Sequence, residues 1–238
     1  MANAKKTGSS SPRTFYWIIG IVAVLGVGAI ALATMRGGSA MVTEPLDLGE
    51  IADASTLLER AQGITVGADD APIKLLVFSD FQCPACRVWA LSVEKPLKAE
   101  FVESGQAQLV YFDYPLAMHP HAFVVARAAR CAADQDKFWE YHDLAFAQQD
   151  TWAFSAGTPG ALLEEYAGTV GMDQAQFEQC LNSDAHAETV TANQMLGTQL
   201  GVRGTPTVFV NGRQLQNWQE YEAAKEEILR ITGGATGG

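Results

Sequence analysis

The feature that most constrains the fold of this 238-residue chain is the motif Cys83-Pro84-Ala85-Cys86, which follows the largely apolar run 73–78. Proline is favoured at the first position of a helix, because its missing N–H would have no partner there. The motif therefore predicts a helix that begins at Pro84, with Cys83 as its N-cap. Unpaired N–H groups and the positive end of the helix dipole stabilise a thiolate at that position. Cys86, one turn further along, would lie close enough to form a disulfide with Cys83, so the pair can exchange disulfides with another protein.

Two other kinds of site share this spacing. A C-x-x-C pair can be half of a zinc site, but four-cysteine sites usually have a second close pair. The remaining cysteines, Cys131 and Cys180, are far apart, and no two of the four histidines have ligand spacing. A purely structural Cys83–Cys86 bridge is the other alternative, although strained short-loop disulfides tend to be labile. We therefore predict a redox pair, with neither a metal nor a cofactor.

The charge of the chain is distributed unevenly. The net charge is −11 at pH 7, yet residues 1–42 carry four positive and no negative charges, which leaves −15 for the remainder. Nucleic-acid phosphates attract Lys and Arg, so a body this acidic argues against nucleic-acid binding.

Residues 15–34 form an uncharged, strongly apolar segment of 20 residues. As a helix that rises about 1.5 Å per residue, the segment would span the roughly 30 Å hydrocarbon core of a membrane. Basic residues precede it, and the positive-inside rule keeps that tail, residues 1–14, in the cytoplasm. We favour a single-pass transmembrane anchor over two alternatives. One is a cleaved signal peptide, for which Ala31-Leu32-Ala33 has the small-x-small pattern, and the other is a buried core helix, which fits poorly because no polar residues alternate along the segment. Both an anchor and a signal peptide place the following domain outside the cytoplasm, where disulfides persist.

The remainder of the chain is predicted to be one domain behind a spacer. Residues 35–66 are assigned to a linker with a short helical candidate at about 53–62, and residues 233–238 to a flexible tail. Between them, apolar runs and turn signals predict a strand, a helix, a second strand, several helices, a hairpin around Asn211-Gly212 and a last helix. This order indicates an α/β sheet domain with a helical insertion.

A second informative motif, Gly204-Thr205-Pro206-Thr207, stands just before the first strand of the hairpin. Proline is allowed at the start of a strand but not in its middle. The Thr205–Pro206 bond could be cis, which costs little before proline and usually serves a tight turn. An ordinary trans turn proline is the alternative.

These two motifs carry a family resemblance. The segment from Asp80 to Cys86, followed about 120 residues later by the segment from Val202 to Thr207 and a hairpin, resembles the thioredoxin superfamily. Within it the chain is most similar to the DsbA-like thiol–disulfide oxidoreductases. The resemblance covers about residues 67–232 and implies a thioredoxin fold with an inserted helical domain, at about 118–200, behind one N-terminal transmembrane helix.

The resemblance also implies roles for individual residues. Cys83 would be the exposed nucleophile and Cys86 the buried resolving thiol. Pro206 would be a cis-proline packed against the pair, and the backbone of Thr205 would pair with an incoming substrate strand. One position departs from the family, in which many members carry a buried glutamate six residues before the first cysteine. Here that residue is Val77, and Asp80 is either a nearby substitute or a turn residue.

The two remaining cysteines are predicted to form a structural disulfide. Cys131 and Cys180 each project from the apolar face of a predicted helix. Two inward thiols in an oxidising compartment favour a bridge between the inserted helices, which would stabilise the fold by roughly 2–4 kcal/mol in the loop-entropy model. Two buried free thiols are the alternative.

Together these features predict a membrane-anchored enzyme on the outer side of a cell membrane that oxidises cysteines of secreted or extracytoplasmic proteins. A disulfide reductase or isomerase of the same fold is one alternative. A chaperone-like module that binds clients at Thr205–Pro206 with little redox turnover is another. The family further implies a membrane partner that reoxidises the pair, a quinone-linked enzyme of the DsbB or vitamin K epoxide reductase type.

Overall fold

One mixed sheet forms the centre of the computed structural model, which describes residues 41–51 and 53–234. The strand order is β1-β3-β2-β4-β5. Strands β2 and β3 are parallel, and the other neighbouring pairs are antiparallel. The described strands are β1 Ile64–Val66, β2 Ile73–Ser79, β3 Ala107–Asp113, β4 Thr207–Val210 and β5 Arg213–Gln214.

Helices cover both faces of this sheet. One long helical run, here called α2 (residues 84–102), consists of the α-helical segments Pro84–Val88 and Lys95–Leu97 and the π-helical segments Trp89–Glu94 and Lys98–Val102. Six helices lie between β3 and β4, which confirms the predicted insertion of helices into a thioredoxin fold. In chain order the helices other than α2 are α1 Ala54–Arg60, α3 Ala122–Ala133, α4 Phe138–Ala147, α5 Gln149–Trp152, α6 Gly160–Thr169, α7 Gln174–Leu181, α8 Ala187–Gln199 and α9 Tyr221–Thr232.

The central strand β2 is apolar on both faces because both are covered. Side chains alternate along a strand, so Leu75 and Val77 join the core cluster that includes Trp89 of α2. Phe78 points the other way and packs with residues of α1 and α8. The helix α8 approaches closely at Gly197, where a Cβ atom would lie 2.6 Å from the ring of Tyr114.

The folded domain begins earlier than the predicted boundary at residue 67. Strand β1 lies within the segment assigned to a linker, and it pairs with β3 over three residues. The predicted short helix is confirmed as α1, in which Asp53 accepts a hydrogen bond from the N–H of Thr56 as N-cap and Leu57 is fully buried. A strand of three residues is too short to show the alternation by which a strand is identified in a sequence.

The structure joins Cys131 of α3 and Cys180 of α7 in a disulfide, the pairing expected from their positions on the two helices. The Cα atoms are 5.9 Å apart and the bridge links residues 49 positions apart. It ties the first helix of the insertion to its fifth.

No helix within residues 41–51 and 53–234 is long and apolar enough to cross a membrane. The predicted tail 1–14, the predicted transmembrane segment 15–34 and most of the predicted flexible end lie outside the described residues.

Candidate active site at the start of the long helix

Cys83 is the N-cap of α2, as the motif predicts, and Pro84 occupies the first turn. Both Cys83 and Cys86 are free thiols. A hydrogen bond from the Cys86 side chain lowers the pKa of Cys83 to about 5. Thr205 and the N–H groups of Ala85 and Cys86 act in the same direction, against the effect of burial. Cys83 can therefore be a thiolate at neutral pH.

Cys86 has the opposite environment. Its side chain is 0% exposed, and its sulfur lies 3.4 Å from the N–H of Asp80. Burial, followed by the proximity of Cys83, raises the pKa of Cys86 well above its ordinary value. Cys83 is only 7% exposed, which is less accessible than the resemblance implied, but it is the more accessible thiol of the two. The site therefore holds one reactive and one protected sulfur.

The Thr205–Pro206 loop lies against Cys83. The Thr205–Pro206 peptide bond is cis, and the thiol of Cys83 lies 3.4 Å from the carbonyl oxygen of Thr205. The sheet explains this proximity. Thr207, at the start of β4, pairs with Phe78 near the end of β2, so the two segments that flank the motifs meet at the same edge.

Asp80 positions the turn that leads into the motif. It is 1% exposed, and one of its oxygens accepts from the N–H of Gln82 at 2.7 Å. The other accepts from the N–H of Leu116 at 2.8 Å and lies 2.8 Å from Nδ1 of His119. The hydrogen bond to Asp80 raises the pKa of His119, and the proximity of Cys83 adds to the effect. Asp80 thus places a protonatable imidazole near Cys83, which sequence reasoning missed because His119 follows a different strand.

Two buried glutamines connect the motif to the inserted helices. Gln149 of α5 donates to the carbonyl oxygens of Phe81 at 2.7 Å and of Cys83 at 3.1 Å. Gln82 donates to the carbonyl oxygen of Ala153 at 2.6 Å. The insertion therefore fixes the backbone of the nucleophile itself. No local signal in the sequence pointed to Gln149, since 66 residues separate it from Cys83.

A cleft of about 440 Å³ opens beside Pro84. Its wall is partly apolar, and Phe154 and Val88 are 84% and 45% exposed. It could hold an apolar side chain of a polypeptide next to Cys83. The residues that line it include Gln82 just before α2, Leu91 of α2, and His119 and Asp150 of the insertion.

Among the described residues, one group of three side chains has its ligand atoms close enough to hold a metal ion. It consists of Cys131, Cys180 and His186, and both of its sulfurs are joined in the disulfide. Cys83 and Cys86 do not belong to it.

The low pKa of Cys83 predicts how the reduced protein depends on pH. We expect the ultraviolet absorbance of a thiolate to appear in a step near pH 5. The folded-state pKa is lower than in the unfolded chain, so unfolded molecules bind more protons between about pH 5 and pH 9. The free energy of unfolding of the reduced form, compared with that of the oxidised form, should therefore rise with pH across that window. This contribution of Cys83 should be absent below about pH 5. A Cys83→Ser variant should lack the step, and a first thiolate step above pH 8 would contradict the assignment.

Comparisons with known proteins agree with this geometry. A thioredoxin family model matches residues 59–229. The chain is 33% identical over 166 residues to the probable disulfide bond formation protein D of Bacillus anthracis, covering 69% of this chain and 76% of that protein. It is also similar to the disulfide bond formation protein D of Bacillus subtilis, at 25% identity over 71% of this chain and 77% of that one. The crystal structure of oxidised BdbD from Bacillus subtilis superposes with a TM-score of 0.64 at 23% identity, covering 71% of this chain and 92% of that chain.

Proposed function

Because this chain belongs to the thioredoxin family and, within it, to the DsbA-like disulfide oxidoreductases, we propose that it oxidises cysteine pairs of extracytoplasmic proteins through mixed disulfides at Cys83. When the reduced pair is reoxidised, Cys83 is the nucleophile and Cys86 the resolving thiol. The enzyme is a protein thiol–disulfide oxidoreductase.

The proposed direction rests on the opposite shifts of the two thiol pKa values, because the pKa is lowered for Cys83 and raised for Cys86. In the oxidised enzyme, a client thiolate would attack the sulfur of Cys83 and break the Cys83–Cys86 bond, and Cys86 would leave and take up a proton. The second thiolate of the client then attacks the client sulfur that is bonded to Cys83. The client disulfide forms, and Cys83 leaves as a thiolate. A thiol of low pKa is the better leaving group and stabilises the reduced product, as an oxidant requires.

Two surfaces support binding of an extended client beside Cys83. The backbone at Thr205, before Pro206, can pair with a passing strand through main-chain hydrogen bonds that any unfolded chain offers. The apolar cleft beside Pro84 can hold a client side chain, with Phe154 at its rim. Neither contact depends on a particular amino-acid sequence in the client. The clients we propose are therefore unfolded or folding proteins that contain cysteines.

We also propose that the chain works at the outer surface of a membrane. The apolar segment 15–34 would anchor it as a single span, with residues 1–14 in the cytoplasm. A quinone-linked membrane enzyme of the DsbB or vitamin K epoxide reductase type would reoxidise the pair, and the shared membrane would raise the effective concentration of the two partners.

The redox equilibrium of Cys83 and Cys86 with glutathione tests the direction. We expect a potential well above the value of about −270 mV of thioredoxin and nearer to that of DsbA, about −120 mV. We also expect the oxidised enzyme to form disulfides in a reduced, unfolded model protein. The Cys131→Ala/Cys180→Ala variant is the matched control, because only the Cys83 pair then titrates. A potential close to that of thioredoxin would indicate a reductase, and client binding that survives Cys83→Ser without oxidation would indicate a chaperone-like module.

A further inference from the structure

The Cys131–Cys180 disulfide lies beside two further side chains that can bind a metal ion. Both sulfur atoms and a ring nitrogen of His186 lie within 4.8 Å of one another. Oδ2 of Asp134 is 2.8 Å from Nε2 of His186 and 3.7 Å from Sγ of Cys180. Thiolate, imidazole and carboxylate are the three kinds of protein ligand that zinc takes, and structural zinc sites have four of them. These four residues, here called the zinc cluster, therefore match a zinc site in the number and type of ligands.

The spacing of the zinc cluster fits a tetrahedral ion once the S–S bond is absent. With Zn–S bonds of about 2.3 Å and Zn–N or Zn–O bonds of about 2.0 Å, neighbouring ligand atoms of a tetrahedral site lie about 3.3–3.8 Å apart. The distances of 2.8 Å and 3.7 Å from Asp134 to the histidine nitrogen and the cysteine sulfur are close to those values. The two sulfur atoms have to separate to a similar distance, which rotation of the free cysteine side chains allows.

The protein holds the zinc cluster together by contacts other than the disulfide. Two members lie at the C-terminal end of α3, and the other two flank the loop between α7 and α8. Arg127 of α3 is 0% exposed, and it donates to the carbonyl oxygens of Ser183 at 2.6 Å and Ala185 at 2.9 Å, both in that loop. The loop therefore stays bound to α3 when the two thiols are free, and the four ligands remain neighbours.

The zinc cluster also has an open side. Cys131 is 1% exposed, but the side chains of His186 and Asp134 are 24% and 46% exposed. His186 is the N-cap of α8, yet its side chain makes no capping hydrogen bond and turns to Asp134 instead. An ion can thus enter from solvent on the side of the imidazole and the carboxylate and meet the sulfur atoms behind them.

We propose that the chain binds one Zn²⁺ ion through the zinc cluster when Cys131 and Cys180 are reduced, and that the disulfide is the metal-free form of the same site. Every chain is synthesised with free thiols, so the metal-bound form needs no reductant. Zinc binding displaces the two thiol protons to solvent. When a small-molecule disulfide such as oxidised glutathione later oxidises the site, the two protein thiolates lose two electrons and form the S–S bond. The S–S bond of the oxidant breaks to give two thiolates, and Zn²⁺ is released.

A chain whose only thiols are Cys131 and Cys180 tests this proposal. The Cys83→Ser/Cys86→Ser variant is reduced with a phosphine, freed of the reductant without oxygen, and titrated with zinc chloride against a chromogenic zinc chelator. We expect one Zn²⁺ per reduced chain and no binding by the unreduced chain. Because this variant lacks the redox pair, the result is independent of the proposed function.

Two ligand variants in the same background distinguish the zinc cluster from a simple pair of thiols. His186→Asn keeps a residue type that accepts the positive φ of 61° at this position. It should weaken zinc binding by roughly 10²-fold or more, since losing even an outer-shell partner of a zinc ligand costs about 10–100-fold. Asp134→Asn should weaken binding by about 10–100-fold. Asp136→Asn, the same change at an exposed position two residues further on, is the matched control and should bind zinc normally.

Co²⁺ provides a second readout, because cobalt in a tetrahedral thiolate site absorbs visible light. We expect that absorption in the reduced background chain and its loss or displacement in His186→Asn. A reduced chain that bound no zinc would overturn the proposal, as would equal binding by the reduced and unreduced chains. Undiminished zinc affinity in both His186→Asn and Asp134→Asn would also contradict it, by showing that the two thiols alone hold the ion.

Discussion

Cys86→Ser is expected to turn the enzyme into a covalent trap, and Cys83→Ser to reduce disulfide exchange to the uncatalysed background. In the first variant a serine hydroxyl can still donate a hydrogen bond to Cys83, and Thr205 and the backbone N–H groups still act on it, so Cys83 should keep a lowered pKa and attack disulfides of a partner protein. No second thiol is then available to resolve the product, so the mixed disulfide should accumulate. In the second variant the remaining thiol is 0% exposed, and burial raises its pKa, so it should neither be reached nor react.

Non-reducing electrophoresis after incubation with oxidised client proteins measures both outcomes. The Cys86→Ser complexes should be abundant and should disappear on reduction. A Cys131→Ser/Cys180→Ser variant is the control, because its active pair is intact and its exchange should be preserved. Continued turnover in Cys86→Ser, or substantial exchange in Cys83→Ser, would contradict the assigned roles.

Local signals explain why much of the fold was predictable. The strand 73–79 and the helix start at Pro84 follow from an apolar run and a proline at a helix N-terminus, and both occur as predicted. The hairpin turn at Asn211-Gly212 has φ values of 46° and 80°, the left-handed conformation that these residues favour. Strand β1 was not predictable, because its three residues show no sequence pattern typical of a strand and are extended only where they pair with β3.

The site was predictable only where its residues are close in sequence. Two cysteines at a strand-to-helix junction indicated the chemistry, and the family resemblance added Pro206. Gln149 and His119 reach the motif from other elements, and no periodicity encodes such contacts. Glu94 of α2, which accepts a hydrogen bond from the indole N–H of Trp89 at 2.9 Å, illustrates a different limit, because an α-helical projection would turn it away from Trp89. Only the local change to an i→i+5 register brings its carboxylate into the core.

The largest expected effect on stability comes from Arg130, which connects the insertion to the sheet. Arg130 of α3 is 3% exposed and pairs with Asp113 at the end of β3, which is 1% exposed. It also donates to the carbonyl oxygen of Gln62 at 2.6 Å. Arg130→Met would leave Asp113 as a buried charge whose remaining side-chain donor is Asn193, at 3.2 Å. Removing one partner of a buried ion pair costs about 3–5 kcal/mol, so the free energy of unfolding should fall by that amount.

Denaturant unfolding of the oxidised protein measures the loss as a lower midpoint at constant slope. Lys137→Met is the matched control, because it breaks an exposed pair with Glu140 and should change stability by less than about 1 kcal/mol. Arg130→Met/Asp113→Leu should recover a large part of the loss, since removing both charges leaves no unpaired ion in the core. Equal destabilisation in the single and double variants would show that the packing of Arg130, and not its charge, holds α3 against the sheet.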